Sequence, residues 1–272
     1  MSDGFLTVFA AVINALFLGA GVYIYLALVR QISSRPALLG PEVETKTFEF
    51  PEAILASALA FLFLLNAMVA VPHTEKLLLR TNDLVANALV SLALFVFVAA
   101  FLTVRGRNVS LLAGLGRLSF IRSLTTGVVL LFAAYPLIFL ADLLSQNVLH
   151  LPSGRQSIVE LFSGSETLQQ RVIIIVLAVG IAPLVEEFVF RFFLYGVLRR
   201  YLGRFLGLIS NAALFAAVHA HLPSAAPLFV LGACFTLAYE WSGSIVVSMT
   251  MHALFNSMTL IALAFPDQFP QQ

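Results

Sequence analysis

The chain has 272 residues, of which 60% are hydrophobic and only 11% charged, and its net charge is +1. Soluble domains carry about 25% charged residues, so this composition excludes a soluble globular fold and places the chain in a lipid bilayer. The near-neutral balance gives no reason to expect a nucleic-acid partner, and one cysteine, Cys234, excludes an intramolecular disulfide or a multi-cysteine metal cluster.

A span needs roughly 20 apolar residues. Eight segments meet or approach that length: about 5–29, 52–72, 83–104, 123–146, 171–198, 204–221, 224–240 and 244–265. The expected architecture is an all-α, polytopic transmembrane bundle of about eight helices, forming one membrane domain over residues 1–272. The Met1-Ser2-Asp3-Gly4 start lacks the positive region of a cleaved signal, so the first segment reads as a membrane helix. The third connection, Asn108 to Ile121, mixes leucines with arginines and glycines. It suits either a short interfacial amphipathic helix or an ordinary loop. Pro266 to Gln272 reads as a short frayed tail.

Basic residues follow the positive-inside pattern. Arg30, Arg35, Lys46, Arg105, Arg107, Arg117, Arg122, Arg199, Arg200 and Arg204 fall in the odd connections, ten against the four of Lys76, Arg80, Arg155 and Arg171. Both termini should therefore face away from the cytoplasm.

The fifth segment breaks the apolar pattern. Glu186, Glu187 and Arg191 lie within six positions, three residues beyond Pro183. One charge near a bilayer centre costs about 2.5–3.5 kcal/mol on insertion scales, so such a cluster marks a functional site. Glu187 and Arg191 are four apart and share a helix face, which predicts an ion pair. Glu186 lies about 100° around the helix and is left as the chemically available carboxylate. Pro183 removes a backbone hydrogen bond and can open the helix toward a cavity.

The sixth segment ends in Phe215-Ala216-Ala217-Val218-His219-Ala220-His221 and the eighth holds His252-Ala253-Leu254-Phe255-Asn256. His252 and Asn256 share a face, whereas His219 and His221 cannot while a helix lasts. His221, just before Leu222-Pro223, reads as an interfacial residue. A hydrolase that attacks a carbonyl with water needs a base and oxyanion donors. Glu186 with His219 can serve the first role, and His252 with Asn256 the second. A bilayer-embedded hydrolase of this kind would act on a membrane-associated peptide or protein.

These three stretches, Glu186-Glu187-Phe188-Val189-Phe190-Arg191, Phe215 to His219 and His252 to Asn256, resemble the EExxxR, FxxxH and HxxxN/D motifs of the CAAX-protease and bacteriocin-processing (CPBP, or Abi) intramembrane proteases. The resemblance covers about residues 171–262. It implies an endopeptidase in which Glu186 and His219 activate water, His252 and Asn256 stabilise the oxyanion, and Glu187 with Arg191 supports the site. Many members carry Gly after the motif arginine, where this chain has Phe192, which bears on helix packing.

Members of that family are described both as metalloproteases and as glutamate-dependent proteases without metal. The reading adopted here needs no cofactor. The alternative is zinc held by Glu186, His219 and His252, although the chain lacks the HExxH helix motif. Asp142 is the only intramembrane aspartate, so no aspartyl dyad can form, and Ser163-Gly164-Ser165 lies in a polar connection. Two other function classes compete: a non-proteolytic membrane adaptor or immunity protein, and a transporter with a proton relay. The chain shows no inverted repeat of the transporter kind. Glu240 beside Trp241 reads as a membrane-interface marker, and Cys234 as a packing residue.

Overall fold

The computed structural model describes residues 3–34, 48–70, 81–148, 162–165 and 167–265, and among these there is helix and no strand. Eight long helices follow one another: α1 (Asp3–Ser34), α2 (Phe50–Ala70), α3 (Thr81–Val104), α4 (Phe120–Val148), α5 (Leu168–Leu202), α6 (Arg204–Val218), α7 (Ala225–Ser242) and α8 (Ile245–Ala264). Seven are long and apolar enough to cross a membrane, and α6, at 15 residues, is shorter. The basic residues Arg35, Lys46, Lys76, Arg80 and Arg155, and the terminal stretch from Pro266, lie outside the described residues.

One end of the bundle gathers the odd connections. Arg105, past the end of α3, reaches Glu49 and Glu52 at the start of α2, at 3.0 and 3.1 Å. Glu52 also accepts the Glu49 backbone N–H at 2.8 Å, closing the first turn of α2. Arg204 donates to the Ile32 carbonyl at the end of α1, and Trp241 donates to Gln31 at 2.8 Å. The Asn108–Ile121 connection resolves into a single helical turn, Val109–Leu112, capped by Asn108. Its Leu112 and Ala113 are buried, and Ala113 accepts the Ile245 backbone N–H at 3.1 Å. The connection is therefore docked onto the α7–α8 turn rather than lying as an independent amphipathic helix.

That docking depends on Gly114 and Gly243, whose φ values are +68° and +65°. A Cβ on Gly114 would run into the Gly243 carbonyl. Gly114→Ala should therefore lower stability by at least about 1–2 kcal/mol, from the left-handed backbone alone. Thermal unfolding in detergent checks this, and a wild-type melting temperature would contradict the packing described.

α5 is the central element. Every residue from Glu187 to Leu194 is buried, the charged Glu187 and Arg191 included, so protein surrounds this part of the helix on all sides. Its phenylalanines reach outward in several directions. Phe188 meets Phe95 of α3 (ring centroids 4.5 Å apart), Phe190 stacks on Phe63 of α2 (5.7 Å), and Phe192 and Phe193 both meet Phe48 (6.0 Å). Phe192 thus fills the space beneath Phe48. Lipid supplies no hydrophobic drive between helices, so this interlocking of rings holds α5 against its neighbours by van der Waals contact.

Candidate active site

The site begins with a change of helical register. Over Val176–Ile181 and again over Glu187–Leu194, α5 winds as a π-helix. The Ala182 N–H bonds to the Leu177 carbonyl five residues back, and Tyr195 bonds likewise to Phe190. Such bulges recur at functional sites. The first one strands a carbonyl. Ala182 has given its N–H to Leu177, and the next residue, Pro183, has none, so Ala178 receives no bond from either. Asn256 of α8 fills that vacancy, its Nδ2 donating to the Ala178 oxygen at 2.7 Å. The expected opening of the helix at Pro183 is thus present, and Asn256 is fixed by it. One of its two amide hydrogens is committed, leaving the second available.

Removing that donor orphans a partly buried carbonyl, which costs about 1–3 kcal/mol. Asn256→Leu should therefore lose stability as well as activity. Asn256→Asp cannot donate when ionised and should destabilise at least as much in the same unfolding assay.

Beyond Pro183 the two carboxylates part as the sequence predicts. Glu187 and Arg191 are fully buried and 3.1 Å apart. The Arg191 guanidinium lies over the Phe215 ring at 4.1 Å and the Phe235 ring at 5.1 Å, so aromatic faces supplement the ion pair. Glu186, by contrast, is 31% exposed in its side chain, and its Oε2 has no hydrogen-bond partner among the described residues.

Both imidazoles of interest are tethered through Nδ1. In His252 that nitrogen donates to Glu187 Oε1 at 2.9 Å, and Nε2 lies 3.9 Å from Glu186 Oε2. In His219 it donates to the Phe215 carbonyl at 2.7 Å, because a carbonyl can only accept. A carbonyl or carboxylate holding one ring nitrogen fixes the tautomer and presents the other nitrogen for chemistry.

Why His219 sits at working depth is a matter of helix length. α6 ends at Val218, and the chain turns through Ala220, the only non-glycine with positive φ among the described residues (+48°), into a 3-10 turn at Leu222–Ser224. The sixth span is therefore shorter than its expected 204–221, and a left-handed alanine adjoining the site carries strain of about 1–3 kcal/mol. His221 bonds to Ser224 Oγ at 2.8 Å within that turn.

Glu186, His219, His252 and Asn256 all line one cavity of about 790 Å³. The structure thus gathers the four residues singled out from the sequence, with one difference of detail. The imidazole within 4 Å of Glu186 is that of His252, while His219 lines the same cavity. Among the described residues no three His, Cys, Asp or Glu side chains are gathered as a metal ion would require.

Two features escaped the sequence reading. Glu240, expected only to mark an interface beside Trp241, is buried in the protein, 2.8 Å from Arg199 and 3.0 Å from both Arg204 and the Tyr195 hydroxyl. The cavity also has polar walls outside the three motifs, including Asn87 and Ser91 of α3 and Tyr135 of α4. The signal for the α3 pair was present, since Asn87 and Ser91 are the only polar residues between Leu84 and Leu102. Asp142 is bonded by Gln146 at 2.9 Å on α4, and Cys234 is a buried packing residue as expected.

The fold and the site together define a polytopic helical membrane protein whose C-terminal helices, with α3 and α4, enclose a largely apolar cavity carrying a few polar groups. Residues 168–258 match the family model described as type II CAAX prenyl endopeptidase Rce1-like. That segment, a minor part of the chain, is what resembles the CAAX-protease family. No curated protein and no solved structure gives a match.

Proposed function

We propose that this protein is an intramembrane endopeptidase that hydrolyses a peptide bond of a membrane-associated substrate with water activated by Glu186. The observation that carries the reading is the Glu186 carboxylate, unpartnered at Oε2 and lining a cavity with two imidazoles whose Nδ1 atoms are already tethered. In this mechanism His219 Nε2 and Glu186 hold a water, and Glu186 takes its proton as the oxygen attacks the substrate carbonyl. The oxyanion that forms accepts hydrogen bonds from His252 Nε2–H and from the free amide hydrogen of Asn256. Because Glu187 already holds Nδ1–H, His252 performs this role with both nitrogens protonated. Collapse breaks the C–N bond, and the proton on Glu186 passes to the leaving amine. Arg191 holds Glu187, and Glu187 holds His252.

The match to a prenyl endopeptidase family makes a prenylated protein C-terminus the substrate class to try first. The arginine-rich end of the bundle is proposed to face the cytoplasm, following the positive-inside rule. Zinc is not part of the proposal, because Glu186, His219 and His252 would need to close into a single ligand set to hold it. The test is purified protein in lipid nanodiscs with a peptide bearing a farnesylated cysteine followed by three residues. The expected result is release of the three-residue product, detected by mass spectrometry and unchanged by a stringent chelator. A stoichiometric metal whose removal abolishes cleavage, and whose return restores it, would overturn the metal-free mechanism.

A further inference from the structure

The catalytic groups can satisfy the polar atoms of the scissile peptide bond, but a substrate strand carries N–H and C=O groups on either side of it. In a cavity walled mostly by apolar side chains those groups lose water and need partners. Two walls outside the family motifs offer them. On α3, Leu84, Asn87, Ala88 and Ser91 form one helical stripe that lines the cavity. Ser91 spends its hydroxyl hydrogen on the Asn87 carbonyl oxygen at 2.9 Å, while no hydrogen bond joins the Asn87 carboxamide to another described residue. Asn87 is itself exposed on α3, so its carboxamide is not buried in helix packing. On α4, Tyr135 lines the same cavity with its ring 6.0 Å from that of Phe255, the residue next to Asn256. Among the described residues the Tyr135 hydroxyl bonds only to the Met258 thioether, at 3.4 Å, a weak acceptor that a substrate carbonyl would displace.

We infer that Asn87 and Tyr135 are substrate-positioning residues that hold an extended peptide backbone across the cavity, Asn87 pairing with both the N–H and the C=O of one residue and Tyr135 donating to a second carbonyl. The inference rests on the proposed peptidase reading and adds the form of the substrate. A helical segment satisfies its own backbone and has no use for these groups, whereas an extended one requires them. A transmembrane-helix substrate would therefore have to unwind before it is cut.

The experiment measures binding of the farnesylated peptide, and of analogues N-methylated at one peptide nitrogen at a time, to Glu186→Gln protein in nanodiscs. Asn87→Leu and Tyr135→Phe are added in that background, with thermal unfolding as the control for folding. In parallel, KM and kcat are measured for both variants with Glu186 intact. Asn87→Leu should weaken binding about tenfold and Tyr135→Phe about fivefold, with the loss in KM and kcat within about twofold. One N-methylation should weaken binding to the parent by about tenfold yet add nothing in Asn87→Leu, the non-additivity that marks a direct pair. Unchanged binding in both variants, or N-methyl penalties that add fully in Asn87→Leu, would overturn the inference while leaving proteolysis standing. Binding with these dependences but no cleavage by the wild type would overturn the proposed catalysis and leave the backbone clamp. Absence of any binding would overturn both.

Discussion

Replacing Glu186 by Gln is expected to lower kcat by about 10³-fold or more while leaving the melting temperature within a degree or so of wild type. A positioned general base contributes roughly 10²–10⁴ in rate, and in this mechanism the same group also returns the proton to the leaving amine. Gln is nearly isosteric and cannot take a proton from water. The fold should not notice, because among the described residues Glu186 Oε2 accepts no hydrogen bond, and the His252 Nε2 stands 3.9 Å away. Kinetics on the farnesylated peptide, paired with thermal unfolding of the same preparation, check both halves. A Glu186→Gln enzyme that retains more than a tenth of wild-type kcat would remove Glu186 from the chemistry.

The neighbouring carboxylate should behave in the opposite way. Glu187 and Arg191 are fully buried, and Glu187 also holds His252 at 2.9 Å. Removing one member of a buried pair strands the other charge and costs about 3–5 kcal/mol. Glu187→Gln or Arg191→Met should therefore lower the melting temperature by about 10 °C, taking 2–4 °C per kcal/mol for a chain of this size. The double variant Glu187→Leu with Arg191→Met removes both charges and should regain much of that stability, since apolar replacements of buried pairs are often tolerated. It should not regain activity, because His252 then lacks the acceptor that orients it. A single Glu187→Gln variant with wild-type stability would show that Arg191 has another counter-charge.

The contrast between these adjacent residues shows what a sequence can disclose. Helical spacing alone separates Glu186 from Glu187 and pairs the latter with Arg191, because a 100° step is a property of the backbone. The bundle of about eight helices is equally legible, since the bilayer demands long apolar runs. The 2.7 Å bond from Asn256 to Ala178 is not. It exists because the helix before Pro183 shifts to five-residue spacing, and a proline announces a lost bond without saying which carbonyl is left over. His219 reaches the cavity because α6 stops early at an alanine with positive φ, a backbone choice that no periodicity encodes. Glu240 is legible only in part. Its neighbour Trp241 suggests an interface, but nothing local announces that Arg199 and Arg204, on either side of the α5–α6 turn, close over the carboxylate. Asn87 and Ser91 were visible as polar residues in α3, but only the assembled cavity shows what they face.

The most direct test compares the short peptides of membranes carrying wild-type protein with those of membranes carrying Glu186→Gln at equal expression. The account predicts a set of fragments with new C-termini that is present with the wild type and absent with the variant. Identical peptide profiles, together with a solute or proton flux that depends on Glu186, would contradict it and make the cavity a transport pathway instead.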